Sequence, residues 1–515
     1  MQRDGACQSL WQSSVPGYKA RASYIPVGVQ DVVIVGGGIT GVSTALLLQK
    51  AGKRCVLVEG NNIGFGTTGG TTAHLNTFMD SSYAQIQQKF STDDAALIAA
   101  GAQQAIGLIK QQIEEYNIHC LFRELPGYLF STDEKQSKEL DEIITASQKV
   151  GVQVDYTNNS VLPIPYDKIA LFEGQAQFHP LQYLYGLARA FEDAGGVLLQ
   201  NCRMLHAADN ETIEVVTTKG NIKCRQLIYA THIPPGVNLL HFRCAPYRSY
   251  AMAVQLKNGD YPDAVAYDMN DPYHYYRTQE VDGKPYLIVG GEDHKTGHED
   301  NTEACFRRLE SHIRTFFEVS AVSYKWSSQY YEPTDGLPYI GHLPGHPGNI
   351  YVATGFGGNG MIYGTLAAIL FRDLLVNGAS PLEELLDPNR IKPVAGFANF
   401  VKEAADVVGK LVGGLFPEEK LPSLADIALE EGRIVEFEGK KMGIYKDERG
   451  KIYAIDPGCT HIKCTVQWNG AEKTWDCPCH GSRFSYTGEV LTGPARMNLA
   501  VYDVKMGKAI SKNEW

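Results

Sequence analysis

Apolar and polar positions change their rhythm several times along the chain, and each change marks an element. Residues 32–35, "VVIV", form an unbroken apolar run, the mark of a strand buried on both faces. Glycines follow at once, then "ITGVSTALLLQK" as an amphipathic helix, then "CVLVE" as a second buried strand. That succession predicts a βαβ unit. Residues 350–371, "IYVATGFGGNGMIYGTLAAILF", carry no charge and are long enough to suggest a membrane span. Glycines crowd the centre of this stretch, so strand, glycine turn and buried helix are expected there, and no transmembrane helix. Between 240 and 330, "APYRSYAMAVQL", "HYYRTQ" and "YLIVGGED" read as alternating strands of an antiparallel sheet. The turn-rich "SPLEELLDPNRIKP" precedes "AGFANFVKEAADVVGKLVGGLF" (395–416), an amphipathic helix ended by Gly and Pro. From 425 onward, short alternating strands with turns at Glu438-Gly439 and Arg449-Gly450 predict a small β domain.

A chain of 515 residues leads one to expect two or three domains. Its net charge of −11 argues against nucleic acid or an anionic membrane as the main partner. The first 28 residues hold no apolar core and no paired arginines, which favours the cytoplasm over export. Membrane contact by the 395–416 helix is not required; packing on its own protein is expected, with peripheral membrane association as the alternative. Seven cysteines (Cys7, Cys55, Cys120, Cys202, Cys224, Cys244, Cys305) are scattered and read as free buried thiols. The other four fall close together near the C-terminus and need a separate explanation.

The front of the chain has the chemistry of a dinucleotide site. Gly36 permits the tight turn, Gly38 lets backbone approach a pyrophosphate, and Gly41 allows close helix–strand packing. Ile39 and Thr40 open the helix, whose N-terminus faces the phosphates, and Glu59 ends the second strand where a carboxylate reaches ribose hydroxyls. A second glycine cluster follows, "IGFGTTGGTTAHL" (63–75); its Gly66, Thr67, Thr68, Thr71 and Thr72 suit a diphosphate and a flavin edge. His74 beside it reads as a flavin contact or a buried hydrogen-bonding residue. This stretch resembles the FAD-dependent D-amino-acid oxidase superfamily, which includes glycine and sarcosine oxidases. The likeness continues through "FHPLQYLYGLARAFEDAGGVLLQNCRM" (178–204), ending at Met204, and "QLIYATH" (226–232), with Ala230 and Thr231. It closes with "YYEPTDGLPYIGHLP" and "IYVATGFGGNGM", where Gly357, Gly358, Asn359, Gly360 and Met361 stand. The glycines Gly355, Gly357 and Gly360 alone would also suit NAD, but no acid-ended strand follows them; the resemblance makes them backbone donors near the flavin.

The resemblance spans about residues 25–390 and implies FAD and a small-molecule amine or amino-acid substrate. Tyr275, Tyr276 and Arg277 lie where relatives carry substrate contacts, and arginine there would suit a carboxylate; an exposed arginine among core tyrosines is the competing reading. The lysine that activates oxygen in sarcosine oxidase falls at Ile288, and the cysteine that tethers its flavin falls at Ser328. Together these departures imply that the FAD is non-covalent and that direct reaction with oxygen is poor, so electrons need another exit.

"CTHIKCTVQWNGAEKTWDCPCHGS" (459–482) supplies that exit. Cys459-x-His461 and Cys477-x-x-His480 each offer one thiolate and one imidazole, whereas zinc modules pair their cysteines and histidines separately. A two-iron cluster of mixed ligation needs such loops. Both loops resemble the Rieske [2Fe–2S] protein of respiratory bc complexes, and "TGPARMNL" (492–499) resembles its third loop. The resemblance implies Cys459 and Cys477 on one iron, His461 and His480 on the other, and a Cys464–Cys479 disulfide tying the loops. It also implies a hydrogen bond from Ser482 to a cluster sulfur. Phe484 stands where high-potential relatives carry a tyrosine, which points to a potential below theirs but above plant ferredoxins.

The expected fold is therefore an α/β FAD-binding Rossmann-like domain with an antiparallel β substrate domain, plus a small all-β C-terminal Rieske domain. Its expected parts are an N-terminal extension (1–28), an oxidoreductase (29–392), a helical linker (393–424) and a Rieske domain (425–515). Within the oxidoreductase, FAD is expected on about 29–80, 178–235 and 330–375, and substrate on about 240–330. The expected function is dehydrogenation of an amine or N-substituted or D-amino acid. Electrons would pass from FAD to the cluster and on to an external protein or quinone. The rivals are an NAD(P)H-dependent reductase and a non-catalytic redox sensor. A Rieske oxygenase would need a mononuclear iron, for which His294, His298, Asp293 and Asp300 are the tempting set, in a segment expected to be a loop.

Overall fold

A computed structural model describes residues 3–390 other than 210 and 347, residues 420–503, and the backbone of 510–512. The helix expected at 395–416 and most of the linker around it lie outside the described residues. The βαβ unit forms the middle of one sheet. Its strand order is Tyr339–His342, Ile350–Thr354, Gly220–Tyr229, Val29–Val35, Cys55–Val58 and Val197–Leu199. The inner pairs are parallel, with Val33 opposite both Val56 and Leu227, and every residue from Val32 to Val35 is buried. Unbroken apolar runs are what a sheet covered on both faces requires.

The helices Ile39–Lys50, Pro180–Asp193 and Gly360–Arg372 pack together beside this sheet. The uncharged stretch at 350–371 is strand Ile350–Thr354, a glycine turn and the helix Gly360–Arg372. The 18-residue segment Gly360–Asn377 is apolar enough to cross a membrane by composition, yet 67% of it is buried inside the fold.

A nine-stranded sheet stands across the cavity from the first. Half of it comes from the expected region: Val319–Pro333, Cys244–Leu256, Lys284–Lys295, Tyr275–Val281 and Val265–Asp268. The remainder comes from 74–177, including Arg123–Ser131 and Lys168–Gln177, so this sheet extends well beyond 240–330. Its one parallel pairing, Val265–Asp268 on Arg123–Ser131, joins the two halves. His294 lies in the strand Lys284–Lys295 rather than in a loop.

The C-terminal part is all β, a five-stranded sheet beginning at Gly432–Phe437 and a four-stranded one beginning at Gln467–Asn469. Residues 3–28 are more than an extension. Ser9 caps the short helix Leu10–Ser14, and Trp11 is fully buried, its Nε1 donating to the Thr71 carbonyl at 2.6 Å. Arg3 and Asp4 enter a buried charge cluster against the C-terminal part.

Candidate active site and metal centre

Between the two large sheets lies a cavity of about 630 Å³, within the range of sites that enclose small molecules. One end is the βαβ turn. Gly36, Gly38, Ile39 and Thr40 line it, as do Glu59, Met204, Ala230 and Thr231. Gly41 does not line the cavity; a Cβ there would meet the Gly36 carbonyl oxygen at 1.9 Å, so its role is the helix–strand packing. Glu59 accepts the backbone N–H of Gly37 and of Asn61, each at 2.7 Å, while burial raises its pKa. Gly66, Thr67, Thr68, Thr71 and Thr72 line the middle. The turn Gly357–Gly360 with Met361 closes another wall, and the helix Gly360–Arg372 aims its N-terminus there.

The far end is aromatic. Tyr267, Tyr273, Tyr275 and Tyr330 line it together with His74, while Tyr331 lines the cavity beside His232, their rings 4.7 Å apart. His74 shares a 2.5 Å hydrogen bond with the Tyr267 hydroxyl through Nδ1, and burial holds its pKa well below the usual histidine range, so it is neutral. Ser328 lines the cavity, Ile288 sits in the core away from it, and no cysteine is among the described lining residues.

Tyr276 and Arg277 are corrected by the structure, because neither lines the cavity. Strand alternation turns Tyr276 to the opposite face, where its hydroxyl pairs with His312 Nε2 at 2.6 Å. Arg277 is fully buried behind the threonine loop, donating to the carbonyls of Thr72 (2.6 Å), Ala73 (2.9 Å) and Phe178, and to Gln279. Burial lowers its pKa to about 9. Its Nη1 and Nη2 hold the loop, while its buried Nε has no hydrogen-bond partner. Tyr275 is the member of that trio that reaches the cavity.

The cysteine and histidine loops converge. Cys459 and Cys477 are buried in one cluster, and the Ser482 hydroxyl accepts the Ala495 N–H at 3.0 Å. The rings of His461 and His480 stand 5.0 Å apart at 86°. Nδ1 of each is buried with no protein partner, an arrangement that suits metal ligands. Burial depresses both imidazoles, His480 to about 3, so both are neutral and able to ligate. Cys464 and Cys479 are joined in a disulfide, which removes them as ligands although their sulfurs lie within 4.8 Å of Cys477. The residues present fit a [2Fe–2S] cluster. His294 does not fit an oxygenase iron: Nε2 pairs with the Tyr250 hydroxyl and Nδ1 faces the Lys295 carbonyl.

The two sites abut. His461 Nε2 donates to the Gly236 carbonyl at 3.0 Å, and Gln329 Nε2 donates to the Gly481 carbonyl at 2.8 Å. Tyr331, a cavity-lining residue, donates its hydroxyl to the His480 carbonyl at 3.2 Å. Gly481 permits this approach, because a Cβ there would come within 2.8 Å of Gln329, Pro246 and Tyr331. His241 stands 4.7 Å from His461, but its nitrogens are used by its own loop, through Pro234 and Asn238. Thr492, Gly493, Ala495 and Arg496, from the third loop, line the cavity near Met204. Sequence reasoning missed Asp80, Tyr267, Tyr273 and the whole docking surface, since one residue on a strand and two in separate loops carry no local motif.

A family model described as FAD dependent oxidoreductase matches residues 31–374, and one described as Rieske [2Fe-2S] domain matches residues 420–503. The Rieske 2Fe-2S iron-sulfur protein YhfW of Bacillus subtilis is 35% identical over 479 residues, covering 92% of this chain and 93% of that protein. Gamma-glutamylputrescine oxidoreductase of Escherichia coli is 25% identical over 363 residues, covering 67% of this chain and 83% of its own length. The crystal structure of glycine oxidase from Geobacillus kaustophilus superposes with a TM-score of 0.58 at 19% identity, covering 71% of this chain and all of that one, a likeness of fold. Such oxidoreductases bind FAD, and Rieske domains bind a [2Fe–2S] cluster. The chain belongs to the FAD dependent oxidoreductase family and carries a Rieske [2Fe-2S] domain at its C-terminal end.

Proposed function

We propose that this protein dehydrogenates an amine and sends the electrons through its own cluster to an external acceptor, a protein or a quinone. The observation that carries this reading is Tyr331, one side chain that both lines the cavity and hydrogen-bonds the backbone of His480. A second bonded route runs beside it: Thr67 Oγ1 donates to the Gln329 carbonyl at 2.8 Å, and the Gln329 amide holds Gly481.

FAD supplies two-electron acceptance and the [2Fe–2S] cluster supplies one-electron carriage. Gly36, Gly38, Ile39, Thr40 and Glu59 would hold the nucleotide, with Gly41 setting the helix against the strand. Gly66, Thr67, Thr68, Thr71 and Thr72 would wrap the diphosphate, Met204, Ala230 and Thr231 would close the nucleotide side, and residues 357–361 would face the ring. The absence of cysteine from the described cavity wall favours non-covalent attachment. Cys459, His461, Cys477 and His480 would hold the cluster. In the reaction one C–H and one N–H bond of the amine break and a C=N bond forms. Two electrons and two protons leave, and water hydrolyses the imine to a carbonyl and an amine. The tyrosine wall excludes bulk water from this end, and neutral His74 offers its unpartnered Nε2 as a hydrogen-bonding group. No residue is assigned as a base.

The experiment mixes the holoprotein anaerobically with a panel of amines and N-methyl amino acids and, separately, with NADH and NADPH, following flavin absorbance. Bleaching by an amine supports the reading. Bleaching by a nicotinamide alone would replace it with a reductase, and bleaching by none would leave a redox sensor. Against the reductase, Asp80 already accepts the Gly358 N–H within the second glycine turn.

A further inference from the structure

The polar groups of the aromatic end do not match the amino-acid substrates of a D-amino-acid oxidase fold. A substrate carboxylate is best held by a cation in a bidentate contact, and among the described lining residues none stands at this end. Arg203 and Arg496 are the arginines among the described lining residues, and no lysine is present. Both sit at the nucleotide end. Arg203 lies against Gly60 and donates to the Val490 carbonyl; Arg496 lies against Gly236 and donates to the Leu205 carbonyl. Arg277 does not line the cavity; it stands behind the wall with Nη1 and Nη2 on backbone carbonyls and Gln279, and its Nε is buried without a partner.

The charged groups that line this end carry the opposite sign, while the charge of Arg277 acts on Tyr267 and His74 from behind the wall. Asp80 lines the cavity, its Oδ2 accepting the Gly358 N–H at 2.5 Å. It stands close enough to Tyr267, Tyr273 and Tyr275 for its charge to act on all three. Glu332 also lines the cavity. Behind the tyrosines, Asp293 accepts the Tyr330 hydroxyl at 2.8 Å, leaving that hydroxyl oxygen as an acceptor, and Asp293 Oδ1 is buried without a partner. Tyrosine faces attract cations, and a desolvated site strengthens the attraction.

Resting on the dehydrogenase reading above, we propose that the substrate is an organic ammonium ion without a carboxylate beside its nitrogen, held between Asp80 and the tyrosine wall. Such a cation would favour the ionised form of Asp80, which burial alone disfavours.

The test uses two ligands that cannot be dehydrogenated by this route, benzyltrimethylammonium and benzoate, titrated into the FAD- and cluster-loaded protein while the flavin spectrum is followed. The cation is expected to bind about tenfold or more tightly than benzoate. Asp80→Asn is expected to weaken the cation about tenfold or more, with flavin content and the cluster's EPR signal kept. Tyr275→Leu is expected to weaken it about threefold or more. Benzoate binding as tightly as the cation would overturn the assignment, and that comparison needs no variant to fold. Loss of flavin from Asp80→Asn, with unchanged cation affinity in the flavin-loaded fraction, would also overturn it, placing Asp80 on the cofactor. Amino acids that bleach the flavin while the cation fails to bind would overturn the substrate class and leave the electron relay standing. Cation binding without bleaching by any amine would support the class and overturn the relay.

Discussion

Replacing Arg483 with methionine is expected to loosen the whole docking of the Rieske domain. Arg483 Nη1 donates to Asp4 at 2.6 Å and its Nε to Asp476 at 3.1 Å, which bridges the N-terminal segment to a strand beside the cluster loop. Arg3 and Arg248 complete the cluster with Glu472, giving three charges of each sign, none more than 5% exposed. Water cannot screen charges placed so deeply. Removing one partner from a buried pair costs about 3–5 kcal/mol, because the other charges stay buried and uncompensated. An exposed pair such as Arg314–Glu310 contributes less than about 1 kcal/mol, so Arg314→Met serves as the reference. The assay is urea unfolding followed by visible circular dichroism of the cluster and by flavin fluorescence. Burial pushes the Asp4 carboxyl up, but the charges of Arg483 and Arg3 outweigh it and hold the pKa below the usual range. The stabilisation is therefore present above the ordinary carboxylate pKa and lost as pH falls through the depressed one, and Arg483→Met should move that acid limb upward. A loss below about 1 kcal/mol in Arg483→Met would refute the reasoning and mean that water reaches these charges.

Gly41→Ala forces a Cβ onto the Gly36 carbonyl and should abolish flavin binding, read as loss of yellow colour in a purified protein that keeps its cluster. The Cys464–Cys479 disulfide closes a loop with a sequence separation of 15, so Cys464→Ser with Cys479→Ser should destabilise the cluster loops by about 3 kcal/mol, measured by thermal loss of the EPR signal. Phe484, fully buried among the cluster-loop residues, should raise the cluster potential when replaced by tyrosine, measured by voltammetry; an unchanged value would mean that no new hydroxyl reaches a sulfur. Asp293 is raised to about 7 by burial and faces Tyr330, Ser249, Asp80 and His274. Benzyltrimethylammonium keeps its charge at every pH, so its affinity should rise between about pH 6 and 8 as that carboxylate ionises, and Asp293→Asn should flatten the rise.

What the sequence made legible was local. The βαβ turn, the second glycine turn and the two cluster loops each rest on residues a few positions apart, and backbone geometry ties their spacing to their chemistry. Tyr276 and Arg277 show where such reading stops. A strand turns alternate residues to opposite faces, which takes Tyr276 away from the cavity, while Arg277 shares the face of Tyr275 but is covered by the Thr72–Ala73 loop. The strands from 123–177 joined the substrate sheet through one parallel pairing that no adjacent pattern announces. Arg3 and Asp4 lie at a remote end of the chain from Glu472 and Arg483, so only the folded arrangement could pair them. The tyrosine wall likewise gathers residues from three strands and a loop.

The central claim is that electrons taken from an amine reach the cluster within one chain. The most direct measurement rapidly mixes an amine with the loaded protein without oxygen, freezes samples at successive times, and follows flavin absorbance beside the EPR signal of the reduced cluster. The account expects the flavin to bleach and the cluster signal to grow with it, at a rate independent of protein concentration. A bleached flavin beside a cluster that stays oxidised, or a signal whose rate scales with protein concentration, would contradict it.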